Sequence, residues 1–508
     1  MSGPESLLPS SRARRAAEME ELLAAVAALG RDLLAREEEL PGGAARDPGQ
    51  LAAALDLALP DAGRPLAEVM ARLRAVLLAT PSSSSWRFVN QLFAGREPAA
   101  TAAAMLTPLV NISMYTFKAG GAQILVEREL LHRMCAAAGF TAGEGAFTPG
   151  GSFANFLALV LARNEALPGA RETGVAGARL VAYTSAEGHY SVPKNAGLAG
   201  IGRANVRAIA VDGRGRMLPE ALAAAIAADR AAGLRPFFVN ATAGTTVRGA
   251  FDPLGELGDV ARAAGLWFHV DAAFGGSLLL SPEHRRLLAG SERADSLAWD
   301  PHKMMGVPLQ SSVLLLARRG LLARNLDESA DYLFQADPDE LNPGRRSLQC
   351  GRPNDALKLW AAWQRLGSQG WAARLGRQMA LARRAAELIR SDPELRLAEE
   401  PPHSTSASRS AAARATPSAT ASTAMAFSRS ATALSPAAAR SASSAPTPTS
   451  ATPTSPRSSP RSRPPRAPFP RATTRSRAEG RGYSESSISA TSPSAKSTAA
   501  AAPPSSIR

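Results

Sequence analysis

Apolar and polar positions change rhythm several times along the chain. Residues 16–39 set Ala and Leu among charged residues at the spacing of a surface helix, and 65–79 repeat the pattern. Pro81 and the serines at 82–85 mark a loop. From about 86 to 320, short β-type apolar runs occur at 180–183, 206–211, 237–240, 267–270, 296–299 and 313–316. Helical stretches lie between several of them, as at 219–232 and 254–264. Strands alternating with helices predict an α/β domain with a mostly parallel sheet. Residues 354–399 read as helix again. After Pro401 the chain is Ser, Ala, Pro, Thr and Arg with almost no aliphatic periodicity. Such a segment buries too little apolar surface to offset its ordering entropy, so 401–508 is predicted to be a disordered tail. The expected organisation is an N-terminal helical segment (1–85), a large α/β domain (86–330), a further helical part (331–400) and the tail.

With 508 residues, 45% of them hydrophobic, the chain can bury a large core. It has no run of eighteen apolar residues, so no membrane span is expected, and its N-terminus lacks the pattern of a secretory leader. Two cysteines, Cys135 and Cys350, make neither a disulfide framework nor a metal site. A cytoplasmic location and no bound metal are the expectations. The net charge of +14 suggests a nucleic-acid partner until it is located. Residues 401–508 hold 14 Lys and Arg against 2 Glu, leaving the body nearly neutral. The tail's arginines have no interleaved aromatics, so no nucleic-acid partner is expected.

Five stretches carry candidate chemistry. Asp300-Pro301-His302-Lys303 follows the 296–299 run, which brings a lysine to a strand's C-terminal end, where ligands of open α/β sheets collect. A lysine held partly out of water can attack an aldehyde. Lysine is scarce here: residues 119–357 contain only Lys194 and Lys303. The run Trp267-Phe268-His269-Val270 carries Asp271 to another strand end. A buried carboxylate needs a partner; a protonated pyridine nitrogen, a helix N-terminus or a salt bridge would each serve. Thr148-Pro149-Gly150-Gly151-Ser152 precedes a helical pattern. It reads either as a phosphate cradle on free helix N–H groups or as a glycine turn with Ser152 as the N-cap. Near the 180–183 run, His189 could stack on a planar ring or lie at the surface. The small residues and hydroxyls from Asn240 to Thr246 would line a pocket or make an ordinary turn. With six histidines in the chain, finding His189, His269 and His302 at or near three strand ends favours a site. No P-loop or G-x-G-x-x-G element supports a nucleotide.

Together these residues resemble the group II decarboxylases that use pyridoxal 5'-phosphate (PLP), in particular the glutamate and cysteine sulfinate decarboxylase branch. The resemblance rests on 148–155 (TPGGSFAN), 185–194 (SAEGHYSVPK), 239–254 (VNATAGTTVRGAFDPL), 267–277 (WFHVDAAFGGS), 300–307 (DPHKMMGV), 332–335 (YLFQ) and 349–352 (QCGR), and covers roughly 86–400. It implies a fold-type-I, aminotransferase-like enzyme with a mostly parallel, seven-stranded sheet flanked by helices. It also implies a homodimer with the active site at the subunit interface. Lys303 resembles the Schiff-base lysine, Asp271 the partner of the pyridinium nitrogen, and His189 the residue stacked on the ring. Gly151, Ser152, Thr246 and His302 resemble cofactor contacts, and Ala273 resembles a residue that packs on the ring. Tyr332 resembles the tyrosine of a mobile catalytic loop, which makes 331–400 that loop and the start of a small domain. Gln91 resembles a substrate-side glutamine. The implied reaction removes the α-carboxylate of an amino acid as carbon dioxide. The ring takes up the electron pair, helped by Asp271, and Tyr332 or a group it positions returns a proton to the α-carbon. Gln91 and the branch point to glutamate, cysteine sulfinate or aspartate; Phe93 looks more like the cysteine sulfinate branch.

Two features depart from the family. Asp300 stands where relatives commonly have Asn, and a second carboxylate near a phosphate would cost energy unless it turns away. The family also ends in a folded C-terminal domain with a late arginine for the acidic substrate, and 401–508 has no counterpart. A shifted reading frame is compatible with this. Codons can be chosen for 403–408 that read Phe-Asn-Val-Cys-Phe from the third base, a family-like strand. In the same frame 482–489 can read Leu-Leu-Arg-Val-Val-Asn-Leu, which restores an arginine. A genuine low-complexity extension is the alternative. The competing functions are an inactive decarboxylase-like chain and another fold-type-I enzyme such as an aminotransferase. The His302-Lys303 pair with the YLFQ loop favours decarboxylation.

Overall fold

A computed structural model describes residues 7–39, 47–85, 88, 90, 94–328, 341–397 and 400–401. Gln91, Tyr332 and the tail beyond 401 lie outside the described residues, and the expectations placed on them lie there too. All described residues fall in one unit, Met1–Arg440.

Seven strands form a single sheet among the described residues: β1 (Glu144–Thr148), β2 (Leu180–Ser185), β3 (Val206–Ile209), β4 (Arg235–Thr242), β5 (Trp267–Asp271), β6 (Ser296–Trp299) and β7 (Ser312–Leu316). Their order is β1-β7-β6-β5-β4-β2-β3. Strands β2 to β6 pair in parallel, while β7 runs antiparallel to both β6 and β1. The mostly parallel, seven-stranded sheet expected from the sequence is therefore present. Every residue of β2, β5, β6 and β7 is buried, as strands covered on both faces require.

Helices cover both faces. On one side the core includes Met134, Leu222, Leu257, Trp371 and Leu375, drawn from the helices Ala122–Ala138, Pro219–Ala231, Leu254–Ala263 and Asp355–Ser391. On the other, Leu157 and Leu161 of the Gly151–Ala166 helix pack against Leu180, Phe238 and Ala298. The Asp355–Ser391 helix ends eight residues before the expected 399. Pro393 disfavours helical backbone at Asp392, which is extended (φ −99°, ψ 118°). Gly367 (φ 61°) also breaks this helix internally. The first helix spans Leu7–Ala35 rather than 16–39, and stops short of Pro41-Gly42-Gly43. Among the described residues no helix is long and apolar enough to cross a membrane.

Because β1 and β2 to β6 all point the same way, their C-terminal ends share one edge of the sheet. The segments leaving that edge carry Gly150 to Ser152, His189, Thr246, Asp271, Ala273 and Lys303. The turn from β1 into its helix passes through Gly150 at φ 122°, a conformation open to glycine.

Candidate active site

A cavity of about 180 Å³ opens at this edge. Of the residues singled out in the sequence, Gly151, Ser152, His189, Thr246, Asp271, Ala273, His302 and Lys303 line it. So do Asn155, Tyr190, Thr242, Gly244, Phe274 and Asp300.

At one end the Gly151–Ala166 helix begins with no side chain capping it. The first N–H groups of a helix have no partner within it and suit an anion. A Cβ on Gly151 would lie 2.6 Å from Asp300 Oδ2 and 3.2 Å from the Ala273 Cβ, so glycine is what permits this close approach. Ser152 lines the cavity and does not cap the helix, so the reading of Ser152 as the N-cap does not hold.

Asp271 ends β5 and is buried. Its Oδ1 accepts the Ala273 N–H at 3.1 Å and its Oδ2 accepts Asn155 Nδ2 at 2.7 Å. The site chemistry beyond β6 is more crowded. Lys303 Nζ lies 3.3 Å from Asp300 Oδ2, and His302 Nε2 lies 3.5 Å from the same oxygen. Ser312 Oγ donates to Asp300 Oδ1 at 2.5 Å. Asp300 does not turn away from the cavity: it lines it, held by Lys303 and Ser312. His302 Nδ1 donates to the Ser311 carbonyl at 2.6 Å.

His189 Nδ1 accepts the Ser191 N–H at 3.2 Å, and its ring lies 4.2 Å from that of Tyr190. Burial pulls its pKa below the usual histidine range; Asp271 opposes this and Lys303 adds to it. Burial does the same to His302, against the pull of Asp300. Both imidazoles therefore favour the neutral form. His269 does not line the cavity. It sits within β5, fully buried, and reaches the site only through Asn155.

The profile of the pyridoxal-dependent decarboxylase conserved domain matches residues 48–407, and the chain belongs to this family. It is a carboxy-lyase that uses PLP. The chain is 43% identical over 361 residues to cysteine sulfinic acid decarboxylase of Mus musculus, covering 70% of this chain and 73% of the mouse protein. It is 42% identical to an acidic amino acid decarboxylase of Bos taurus, covering 70% and 69%. A crystal structure of mouse CSAD superposes with a TM-score of 0.72 at 39% identity, covering 76% of this chain and 82% of that one. A structure of Oryza sativa TDC with PLP and tryptamine gives a TM-score of 0.68 at 28% identity, covering 76% and 81%.

The residues present fit this cofactor. Its phosphate could take the uncapped helix start, its ring nitrogen the Asp271 carboxylate, and its aldehyde Lys303. Thr242 Oγ1, buried and without a protein partner, adds a further polar group to the lining.

Proposed function

We propose that this chain removes the α-carboxylate of an acidic L-amino acid (glutamate, cysteine sulfinate or aspartate) and releases carbon dioxide and an amine, with Lys303 carrying PLP. The observation that carries the reading is the meeting of Lys303, Asp271 and the open helix start in one cavity. The names of the relatives support an acidic substrate. Bound PLP supplies an electron sink for the pair left when carbon dioxide departs. Asp271 keeps the ring nitrogen protonated, and Gly151, Ser152, Thr246 and His302 hold the phosphate side. His189 and Ala273 enclose the ring. Tyr332 serves the proton return at the α-carbon, and Gln91 the substrate side.

The working unit is a homodimer. Its support is an apolar stripe on the Pro98–Val110 helix, where Met105, Leu106, Leu109 and Val110 are each at least half exposed. Contiguous exposed apolar surface of this kind marks an association face. Sedimentation of the full chain should give twice the monomer mass. The two cysteines stand unpaired, which supports a cytoplasmic location, testable by cell fractionation.

The functional test incubates the PLP-loaded chain with each of the three acids and follows carbon dioxide and amine. Decarboxylation of at least one, without transfer of the amino group to a keto acid, is the expected result. Bound PLP without turnover would favour the inactive-chain reading, which rests on 401–508 having no segment that resembles the family's arginine-bearing C-terminal domain. Amino-group transfer would favour an aminotransferase.

A further inference from the structure

We propose that His269 and Asn155 are positioning residues for Asp271, the last links of a hydrogen-bond chain that runs from Trp267 through Ser296 to the carboxylate. The proposal rests on reading the cavity as a PLP site.

Strand geometry assembles the chain. Side chains two apart share a face, so Trp267, His269 and Asp271 project from the same side of β5. Ser296 of β6 pairs directly with His269. Asn155 comes from the Gly151–Ala166 helix, one turn after Gly151.

The direction of every bond is forced from both ends. An ionised Asp271 can only accept, so Asn155 must turn its amide Nδ2 toward Oδ2, at 2.7 Å. The same Nδ2 also donates to Ser191 Oγ at 3.1 Å. Asn155 Oδ1 then faces His269 Nε2 at 3.0 Å, and that nitrogen must carry the ring proton. His269 Nδ1 is left to accept from Ser296 Oγ, at 2.8 Å. At the far end, Trp267 Nε1 can only donate, and it donates to Ser296 Oγ at 2.8 Å. The hydroxyl of Ser296 is thus free to point at His269. No bond in the series meets a partner of the wrong polarity.

Burial makes the chain exclusive. His269 and Ser296 have no exposed surface, and Asn155 and Asp271 are almost fully covered. Water therefore offers little substitute for a lost link. His269 stays neutral, because burial holds its pKa at about 4. A protonated ring would donate from Nδ1 as well and would lose the acceptor that orients Ser296. Asn155 and the Ala273 N–H together fix both oxygens of Asp271, and His269 acts on the carboxylate through Asn155 alone.

A comparison of two ligands tests the proposal. Full-length apo protein is titrated with PLP and with an analogue whose ring nitrogen is replaced by C–H, which Asp271 cannot hold as a cation. His269→Leu should weaken PLP binding about tenfold or more, the worth of a hydrogen bond to a charged group, and the analogue by less than about threefold. His269→Gln, whose amide can donate to Asn155 Oδ1, should recover most of the PLP affinity. Equal weakening of both ligands, or no weakening of PLP, overturns the proposal. If His269→Leu does not fold, Asn155→Ala must show the same contrast between ligands, and its absence is equally contrary. Failure of the unaltered chain to bind PLP removes the cofactor-site reading itself, a different outcome from a wild type that binds and a variant that shows no contrast.

Discussion

Lys303 Nζ lies 3.3 Å from Asp300 Oδ2, an ion pair in which the carboxylate side chain is 2% exposed and the lysine 18%. The pair sits beside the helix start that would take the cofactor phosphate. It must open before Lys303 can bond to an aldehyde, and a bound phosphate would meet the Asp300 charge.

Asp300→Asn removes that electrostatic hold and keeps an oxygen available to Ser312. The apo variant should capture PLP about two- to fivefold faster than the unaltered chain, the range expected for losing one partly screened ion pair. Stopped-flow absorbance measures the rate. Equal or slower capture contradicts a restraining role for Asp300.

His269 gives the fold a pH dependence with a definite sign. Its native pKa is about 4, against an ordinary 6.5. Above pH 6.5 the ring is neutral in both states, and its contribution to stability is fully present. As the pH falls from 6.5 toward 4, the unfolded chain takes up the proton first. The native state then loses about 3 kcal/mol relative to the unfolded state. Denaturant unfolding at pH 7 and pH 4.5 should show most of this loss in the unaltered chain and a smaller one in His269→Gln. The same loss in both assigns the pH dependence elsewhere.

Arg352 ties the approach to the Asp355–Ser391 helix to the Ala122–Ala138 helix. Its Nη1 and Nη2 reach Glu127 Oε2 and Oε1 at 2.7 and 2.6 Å, with both side chains 4% exposed. Breaking a buried pair strands a charge, so Arg352→Ala should lower unfolding free energy by about 3–5 kcal/mol. The double change Arg352→Met with Glu127→Leu should cost less than Arg352→Ala alone. A double variant less stable than the single one contradicts this reading of the pair.

The central strands were legible because each is a short apolar run buried on both faces. β1 was not, since Glu144-Gly145-Ala146-Phe147-Thr148 offers a single large apolar residue and lies at the sheet edge. The cavity lining was legible where a motif ends a strand, as at Asp271 and Lys303. Asn155 falls within the TPGGSFAN motif, and its role becomes legible only through its place one helical turn from Gly151, facing the same way. His269 reads from the sequence as a residue at or near a strand end, and period-two alternation sets it on the same face as Asp271 within β5. The placement of Asp300 is not legible locally, because the Ser312 hydroxyl that holds it comes from β7, a strand that no local pattern links to it.

The most direct test of the PLP site is borohydride reduction of the PLP-loaded chain followed by peptide mass spectrometry. The chain has five lysines: Lys118, Lys194, Lys303, Lys358 and Lys496. Lys194 is the instructive rival, since its Nζ lies 5.3 Å from the ring of the cavity residue Tyr190. A phosphopyridoxyl adduct on Lys303 is the predicted result, absent from Lys303→Ala. An adduct on Lys194 or another lysine, or none at all, would contradict the assignment of this cavity.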